Sequence, residues 1–494
     1  MKMKDSFRKL VENATVRIKI ENIDLDWKMP YQLGDIRAGL GSGFFINSEY
    51  IVTCAHVVDG AKNVYIEIPS RGSEKIDVEI LGICPEFDTA LLKTKKYKSK
   101  YYFGIGDSTK CNIGDEVLVV GYPKNYSISK SDVNNLKYTQ GIISGQQYGL
   151  IQTDSAINSG NSGGPMIKDK KVIGINSRKA IGDDTDSIGY AIPIHYFKII
   201  ESNFHHLKPN HQIIYRPSLA FEYSNANKYL VDYLTSEHTN EGVYVSYVYD
   251  KSPLKKIGIK PGDIITKIDK YQVDNFGLTK YKWFQTEQDI NSLINNYKLN
   301  SKIPIEFYQD GKKKKKIVEL KEYIPNLRIQ YPLFEKVDYY IICGMIFMNL
   351  SVNHIIERPE LITQYTTPEE EDKPKVVISF IFPNSPVFIL NNFSNNDILK
   401  KLNQKEIHHI EDFEKILKKT IHYKGKEYVQ FENQEKKVVM MPLTNLLAND
   451  ILLSQLYQFD LSPFHLEKMK NLKKKDLEVM MKNVLKMKKK MKNE

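Results

Sequence analysis

Between residues 16 and 195 the apolar positions come in short runs cut by glycine and other turn residues. GFFI, YIVTCAHVV, NVYIEI, DVEILGI, TALLK, EVLVVGY, GLIQTD and KVIGIN follow one another too closely for helices to intervene. This spacing predicts an antiparallel barrel or sandwich, not alternating β and α units. Glycine then thins out, and residues 209–217, bounded by two prolines, read as a linker. A second unit covers about 218–324. It holds GVYVSYV, SPLKKIGIKPGDIITKID, a helix-like DINSLINNY, and the strands IPIEFY and KIVELK on either side of Asp310-Gly311. An Asp-Gly pair between two β runs signals a hairpin.

Residues 325–375 read as a connection, with an apolar strand pair and the acidic, proline-bounded stretch TTPEEEDKPK. Residues 376–443 then repeat the order of the second unit: VVISFIF, a Ser-Pro pair, NDILKKLNQKEI, a helix-like EDFEKILKK and two closing strands. PGDIITKIDKYQV and SNNDILKKLNQKEI match by pattern, which predicts an internal duplication. From about 445 the composition turns helical and ends rich in lysine and methionine.

Composition narrows the classes. At about 150 residues per domain, 494 residues suggest roughly three domains. A hydrophobic share of 41% is too high for general disorder. The longest apolar run, YYIICGMIFM at 339–348, falls short of the ~20 residues that span a bilayer, so a core strand and no membrane span are expected. The amino terminus, MKMKDSFRKLVENATVRI, shows neither an apolar h-region nor a small-residue cleavage site. The expected location is therefore intracellular, cytoplasmic or nuclear, with mitochondrion and plastid as alternatives. Four cysteines without a CxxC spacing make neither a disulfide framework nor a zinc site. The net charge of +11 is local: residues 467–494 hold eleven lysines against four acidic residues, and Lys312–Lys316 add five more positive charges. The five-lysine run reads as a solvated strand end.

The chemistry lies in the first unit. Residues 155–165 read SAINSGNSGGP. A serine set in Gly160-Asn161-Ser162-Gly163-Gly164 suits a tight turn whose backbone N–H groups point into one concavity. An acyl-transfer oxyanion needs that concavity, because the charge developing on the carbonyl oxygen must meet prepositioned donors. Ser162 needs a base, and His56 in Thr53-Cys54-Ala55-His56 ends an apolar strand. Asp88, opening the run DTALLK, is the carboxylate that would hold the imidazole tautomer. The order His56, Asp88, Ser162 on a β-rich domain is one known solution of this triad.

These segments resemble the HtrA/Deg (DegP-like) serine proteases with their chymotrypsin-like double β-barrel. GSGFFI, TCAHVV, DTALLK, VGYP, TQGIISG, IQTDSAINSGNSGGP and VIGIN occur in family order over about residues 39–195. SPLKKIGIKPGDIITKID resembles a PDZ domain, and the duplicated unit resembles the degenerate second PDZ domain of the plant-type Deg branch. The resulting fold class is mainly β. A trypsin-like protease domain (1–205) precedes a PDZ domain (215–324), connecting strands with an acidic linker (325–375), a degenerate second PDZ domain (376–444) and a basic helical tail (445–494).

The resemblance implies ATP-independent endoproteolysis of unfolded or damaged proteins by trimer-based homo-oligomers, with Phe7 the aromatic candidate for the contact. No cofactor and no metal are implied. Ser162 would be nucleophile, His56 general base then acid, and Asp88 the orienter, with Gly160 and Ser162 supplying oxyanion N–H groups. Ala156 stands six before the nucleophile, where trypsin-like enzymes carry an acid. The specificity pocket is then uncharged, which implies cleavage after small or medium apolar residues. Asn161 replaces the aspartate of trypsin-type activation, so loop ordering must switch the enzyme.

Some positions depart from the family pattern. Ser159 stands where proline is usual, and the carboxylate-loop candidate Pro217-Ser218-Leu219-Ala220-Phe221 has no glycine, which weighs against capture of a substrate carboxyl terminus. Asn396-Asp397 replaces Gly262-Asp263, so the second PDZ domain is expected to pack or assemble instead of binding peptide. A PDZ-bearing peptide-binding or chaperone scaffold with regulated proteolysis is the alternative function. Nucleic-acid binding would involve only the basic tail; neither reading accounts for SAINSGNSGGP. GLGSG at Gly39, Gly41 and Gly43 lacks a following helix or GK[ST], and reads as a β-turn entering the barrel. His205-His206 and His408-His409 lack metal-ligand spacing.

Overall fold

The computed structural model describes residues 4–72, 74–123, 136–147, 149–179, 188–208, 212–236, 238–283 and 286–491. Two compact units divide the chain: residues 1–23, 35–324 and 331–336 form one, and residues 24–34, 325–330 and 337–494 the other.

In the first unit the glycine-cut β runs close into two barrels. β1 (Thr15–Leu25), β2 (Leu33–Phe45), β3 (Tyr50–Thr53), β4 (Ala61–Glu67), β5 (Ile76–Cys84) and β6 (Thr89–Thr94) form a closed barrel in the order β1-β2-β3-β6-β5-β4. Alternation buries Val16, Ile18 and Ile20, while Arg17 and Lys19 between them stay partly exposed. The second set comprises β7 (Gly104–Ile105), β8 (Glu116–Gly121), β9 (Lys137–Gln147), β10 (Leu150–Thr153), β11 (Pro165–Lys168), β12 (Lys171–Lys179) and β13 (Gly189–Pro193). Its order is β11-β8-β9-β10-β13-β12-β7, and the further β11–β12 pairing closes the ring.

Two sequence expectations change here. Gly39, Gly41 and Gly43 lie inside β2, not on a turn. A Cβ on Gly41 would come within 2.4 Å of Val57, so the missing side chain admits the helix that carries His56. Of the expected linker, residues 209–211 lie outside the described residues, and the remainder is not solvated. Ile213, Ile214 and Tyr215 are buried, and Ile214 N–H donates to Ile83 O (2.8 Å) in β5. Three consecutive large apolar residues are stabilised more by burial than by solvation.

The PDZ-like part of this unit pairs strands Phe221–Ser224, Val243–Val248, Ile264–Ile268, Lys302–Gln309 and Lys312–Glu319 in that order. The last two join at Asp310-Gly311, both at positive φ (51° and 73°), the geometry of a two-residue hairpin. The lysine run lies along this strand, where Lys313 and Lys315 flank Glu306 at 3.0 and 3.2 Å. A side hairpin, Leu278–Trp283 with Thr286–Asp289, reaches the second barrel. Trp283 is buried there with Val117, Ile143, Ile157 and Met166, and its Nε1–H donates to Ser108 O (3.3 Å).

In the second unit the strands run Tyr339–Ile342, Met345–Asn349, Val376–Ile381, Ile398–Leu402, Lys426–Asn433 and Ile421–Tyr423. The apolar pair at 339–349, expected as a connection, is therefore part of this sheet, because both its faces are buried. The duplication shows in detail. Ser252 and Ser385 each cap the short helix of their Ser-Pro pair through the side-chain oxygen. Helices Leu443–Tyr457, Pro463–Asn471 and Lys474–Met491 follow, and among the described residues no helix is long and apolar enough to cross a membrane. These helices are more than a basic tail: Leu446, Leu447, Phe464 and Met480 share one core with Phe347 and Phe431.

Candidate active site

His56 follows β3 directly, on the four-residue helix Ala55–Val58. Asp88 follows the turn Pro85–Phe87 with φ 47°, a left-handed conformation that aspartate tolerates better than most residues. That turn aims the carboxylate back at the histidine. His56 Nδ1 lies 2.9 and 2.8 Å from the two Asp88 oxygens, and the His56 backbone N–H donates to Asp88 Oδ1 (3.0 Å). A carboxylate has only acceptors, so Nδ1 carries the proton and Nε2 is left as an acceptor.

A third donor reaches Asp88 from the second barrel: the Ser177 hydroxyl of β12 donates to Oδ2 (2.8 Å). Burial alone would raise the Asp88 pKa. The His56 hydrogen bond and charge, the backbone N–H and the Ser177 hydroxyl outweigh it and hold the carboxyl below its ordinary value. Beneath the pair lies Cys54, fully buried, its thiol donating to Asn176 O (3.2 Å). Burial, with the Asp88 charge beside it, keeps that thiol well above its usual pKa and protonated. Cys54, His56 and Asp88 come within 4.8 Å of one another, but a protonated thiol is a poor metal ligand.

Ser162 sits on the glycine turn between β10 and β11. Its hydroxyl donates to Ser177 O (2.6 Å), and no hydrogen bond joins it to His56 among the described residues. His56 and Asp88 are thus paired, while the Ser162 hydroxyl is engaged by Ser177 O. Gly160 and Gly163 adopt φ 97° and 86°. A Cβ at Gly163 would lie 2.1 Å from both Ser42 O and Thr53 Oγ1, so the turn accepts only glycine there. Neither Gly160 N–H nor Ser162 N–H is donated to another group among the described residues. Both remain available to an incoming oxyanion.

Two residues of the site escaped the sequence reading. Ser177 contacts both Ser162 and Asp88. Ser42, fully buried on β2, donates through its hydroxyl to Gly160 O (2.7 Å) and through its N–H to Ser162 O (2.8 Å). Ala156 is exposed between the buried Ser155 and Ile157, and Asn161 is buried beside Gly121. In the first PDZ part Ala220 takes the left-handed conformation (φ 48°) that glycine would adopt freely, and its N–H is held by Ser218 Oγ (3.0 Å).

The family profile described as a trypsin-like peptidase domain matches residues 41–175, and two PDZ domain profiles match residues 220–320 and 330–459. The chain is 27% identical over 389 residues to the probable periplasmic serine endoprotease DegP-like of Buchnera aphidicola subsp. Baizongia pistaciae, covering 77% of this chain and 74% of that one. It is 29% identical over 310 residues to the serine protease Do-like HtrA of Bacillus subtilis, covering 58% and 64%. A solved structure, the HtrA-type protease AlgW with decapeptide, aligns at TM-score 0.48 and 24% identity over 65% of this chain and 98% of its own. Protease barrels joined to PDZ modules make this chain a serine endopeptidase, a hydrolase of peptide bonds. Its relatives narrow the class: those it is similar to are named DegP-like and HtrA serine proteases.

Proposed function

We propose that Ser162, His56 and Asp88 carry out the proteolysis through an acyl-enzyme. The observation that supports this most is the His56–Asp88 pair at 2.8 Å with its proton on Nδ1, tied through Ser177 to Ser162 on a glycine-rich turn. For acylation the Ser162 hydroxyl would turn from Ser177 O to His56 Nε2. His56 then accepts its proton as Oγ attacks the scissile carbonyl, and returns it to the leaving amine. Gly160 N–H and Ser162 N–H would meet the oxyanion. The Asp88 carboxylate, already ionised, stabilises the imidazolium.

Exposed Ala156 puts no charge beside the scissile residue, and Ile157 behind it is part of an apolar core. That supports cleavage after small or medium apolar residues. Peptides of this kind are buried in folded proteins, so the preferred clients would be unfolded or damaged chains, handled by a homo-oligomer built from trimers. The test is labelling with a fluorophosphonate probe, read by intact mass. The wild-type chain should gain one adduct on Ser162, and Ser162→Ala none. An adduct on Ser162→Ala, or degradation of β-casein undiminished by it, would overturn the assignment; loss of the nucleophile in such a triad lowers kcat by ~10⁶.

A further inference from the structure

The second PDZ domain holds a carboxylate where a peptide's carboxyl terminus would be expected to bind. PDZ domains take peptides by adding them as a strand to an open sheet edge, and backbone nests capture a terminal carboxylate. The first PDZ part has that open edge: among the described residues, strand Phe221–Ser224, directly after the left-handed Ala220, pairs only with Val243–Val248. In the second unit the matching strand is Met345–Asn349. It follows the consecutive left-handed residues Cys343 and Gly344 (φ 58° and 72°) and pairs with Val376–Ile381 in the same way. Its other edge is taken by Tyr339–Ile342, paired in register from Tyr339 with Met348 to Ile342 with Met345.

The turn between those strands is filled as well. Cys343 N–H donates to Asp450 Oδ2 (2.7 Å) and Gly344 N–H to Asp450 Oδ1 (2.9 Å), one donor to each oxygen. Asp450 comes from helix Leu443–Tyr457 and is wholly buried. Two further donors complete its shell, Asn449 Nδ2 (3.0 Å) and His465 Nε2 (2.9 Å). His465 is itself fully buried and linked through Ser462 to Tyr340 and Glu414. A buried carboxylate persists only when its acceptor positions are satisfied, and here four donors satisfy them.

We propose that the second PDZ domain is self-liganded. The Asp450 side chain occupies its carboxylate site, strand Tyr339–Ile342 covers its peptide edge, and the domain takes no peptide. The occupant is a carboxylate by chemistry, so the vacated site should accept a small free one. This inference rests on the second unit alone and does not depend on the triad.

The experiment uses the full chain carrying Ser162→Ala, followed by hydrogen exchange over residues 339–349. A millimolar decapeptide ending in an apolar residue with a free carboxylate should leave exchange there unchanged; slowing would overturn the proposal. In Asp450→Ala the Cys343 and Gly344 amides should exchange about 10- to 100-fold faster, the effect of losing one charged hydrogen bond each. Sodium acetate should slow them again in the variant and not in the parent chain. Where Asp450→Ala does not fold, Asp450→Asn keeps the volume and one acceptor, and should release one amide with the same acetate response. Exchange that ignores both substitution and acetate would sink the assignment.

Discussion

Trp283 gives the sharpest test of how the first PDZ part and the protease are built together. It belongs to the PDZ side hairpin yet lies 4% exposed within the core of the second barrel, edge-on to His195 at 5.6 Å between ring centroids. Replacing it with alanine removes a buried indole and leaves a cavity, a change that ordinarily costs 3–5 kcal/mol for large aromatics. It also leaves Ser108 O without its indole donor, at about 1 kcal/mol. Trp283→Phe keeps most of the packing and should cost ~1–2 kcal/mol. The assay is urea unfolding of the full chain in the Ser162→Ala background, which prevents self-digestion, followed by a near-ultraviolet signal from the protease barrels. Together the two losses for alanine come to about 4–6 kcal/mol in urea. A loss below 1 kcal/mol for Trp283→Ala would refute the buried placement, and a loss confined to the PDZ part would refute the shared core.

Three further outcomes follow. Asp88→Asn leaves the shape but reverses the imidazole tautomer, and kcat against a chromogenic peptide should fall ~10⁴-fold; a fall under tenfold would mean that the carboxylate does not orient His56. Ser177→Ala removes one charge-assisted bond to Asp88 and should lower kcat about 10- to 100-fold while fluorophosphonate labelling persists, only slower. Acid should destabilise both units. Burial pushes His195 and His354 from 6.5 down to about 4, so each stays neutral when folded and binds a proton on unfolding. Their contribution is complete above pH 6.5 and is lost as pH falls toward 4, reaching about 3 kcal/mol each at ~1.4 kcal/mol per pH unit. Urea midpoints at pH 7.5 and 4.5 check this, and His354→Gln should flatten the loss in the second unit; an unchanged slope would refute it.

The residues proposed for the chemistry were legible because catalysis fixes both their types and their local surroundings. A nucleophile on a glycine turn and a histidine after an apolar strand each carry their signal within a few positions. The residues that support them were not. Ser177 meets Asp88 across 89 positions, Ser42 meets Gly160 across 118, Asp450 meets Cys343 across 107 and Trp283 meets Ser108 across 175. A single serine or aspartate in a strand or helix has no pattern that distinguishes it from its neighbours, and only the closed fold supplies its partner. The same limit explains GLGSG, whose glycines look like a turn until the opposing Val57 shows what they make room for. It also explains the helices after 445, where lysines set the composition and a few leucines set the packing.

Ser42 lies on one barrel and the turn it holds lies on the other, as His56 and Asp88 lie opposite Ser162. Catalytic competence is therefore a property of the closed interface and of neither barrel by itself. Were the barrels to separate, Ser162 would lose His56 and the turn would lose Ser42's hold on both carbonyls together. On the proposed triad, any opening at that interface would disarm the enzyme before either barrel lost its own sheet. Among concentrated proteases that remove misshapen chains, a failing molecule thereby becomes a client while it has already ceased to be a blade.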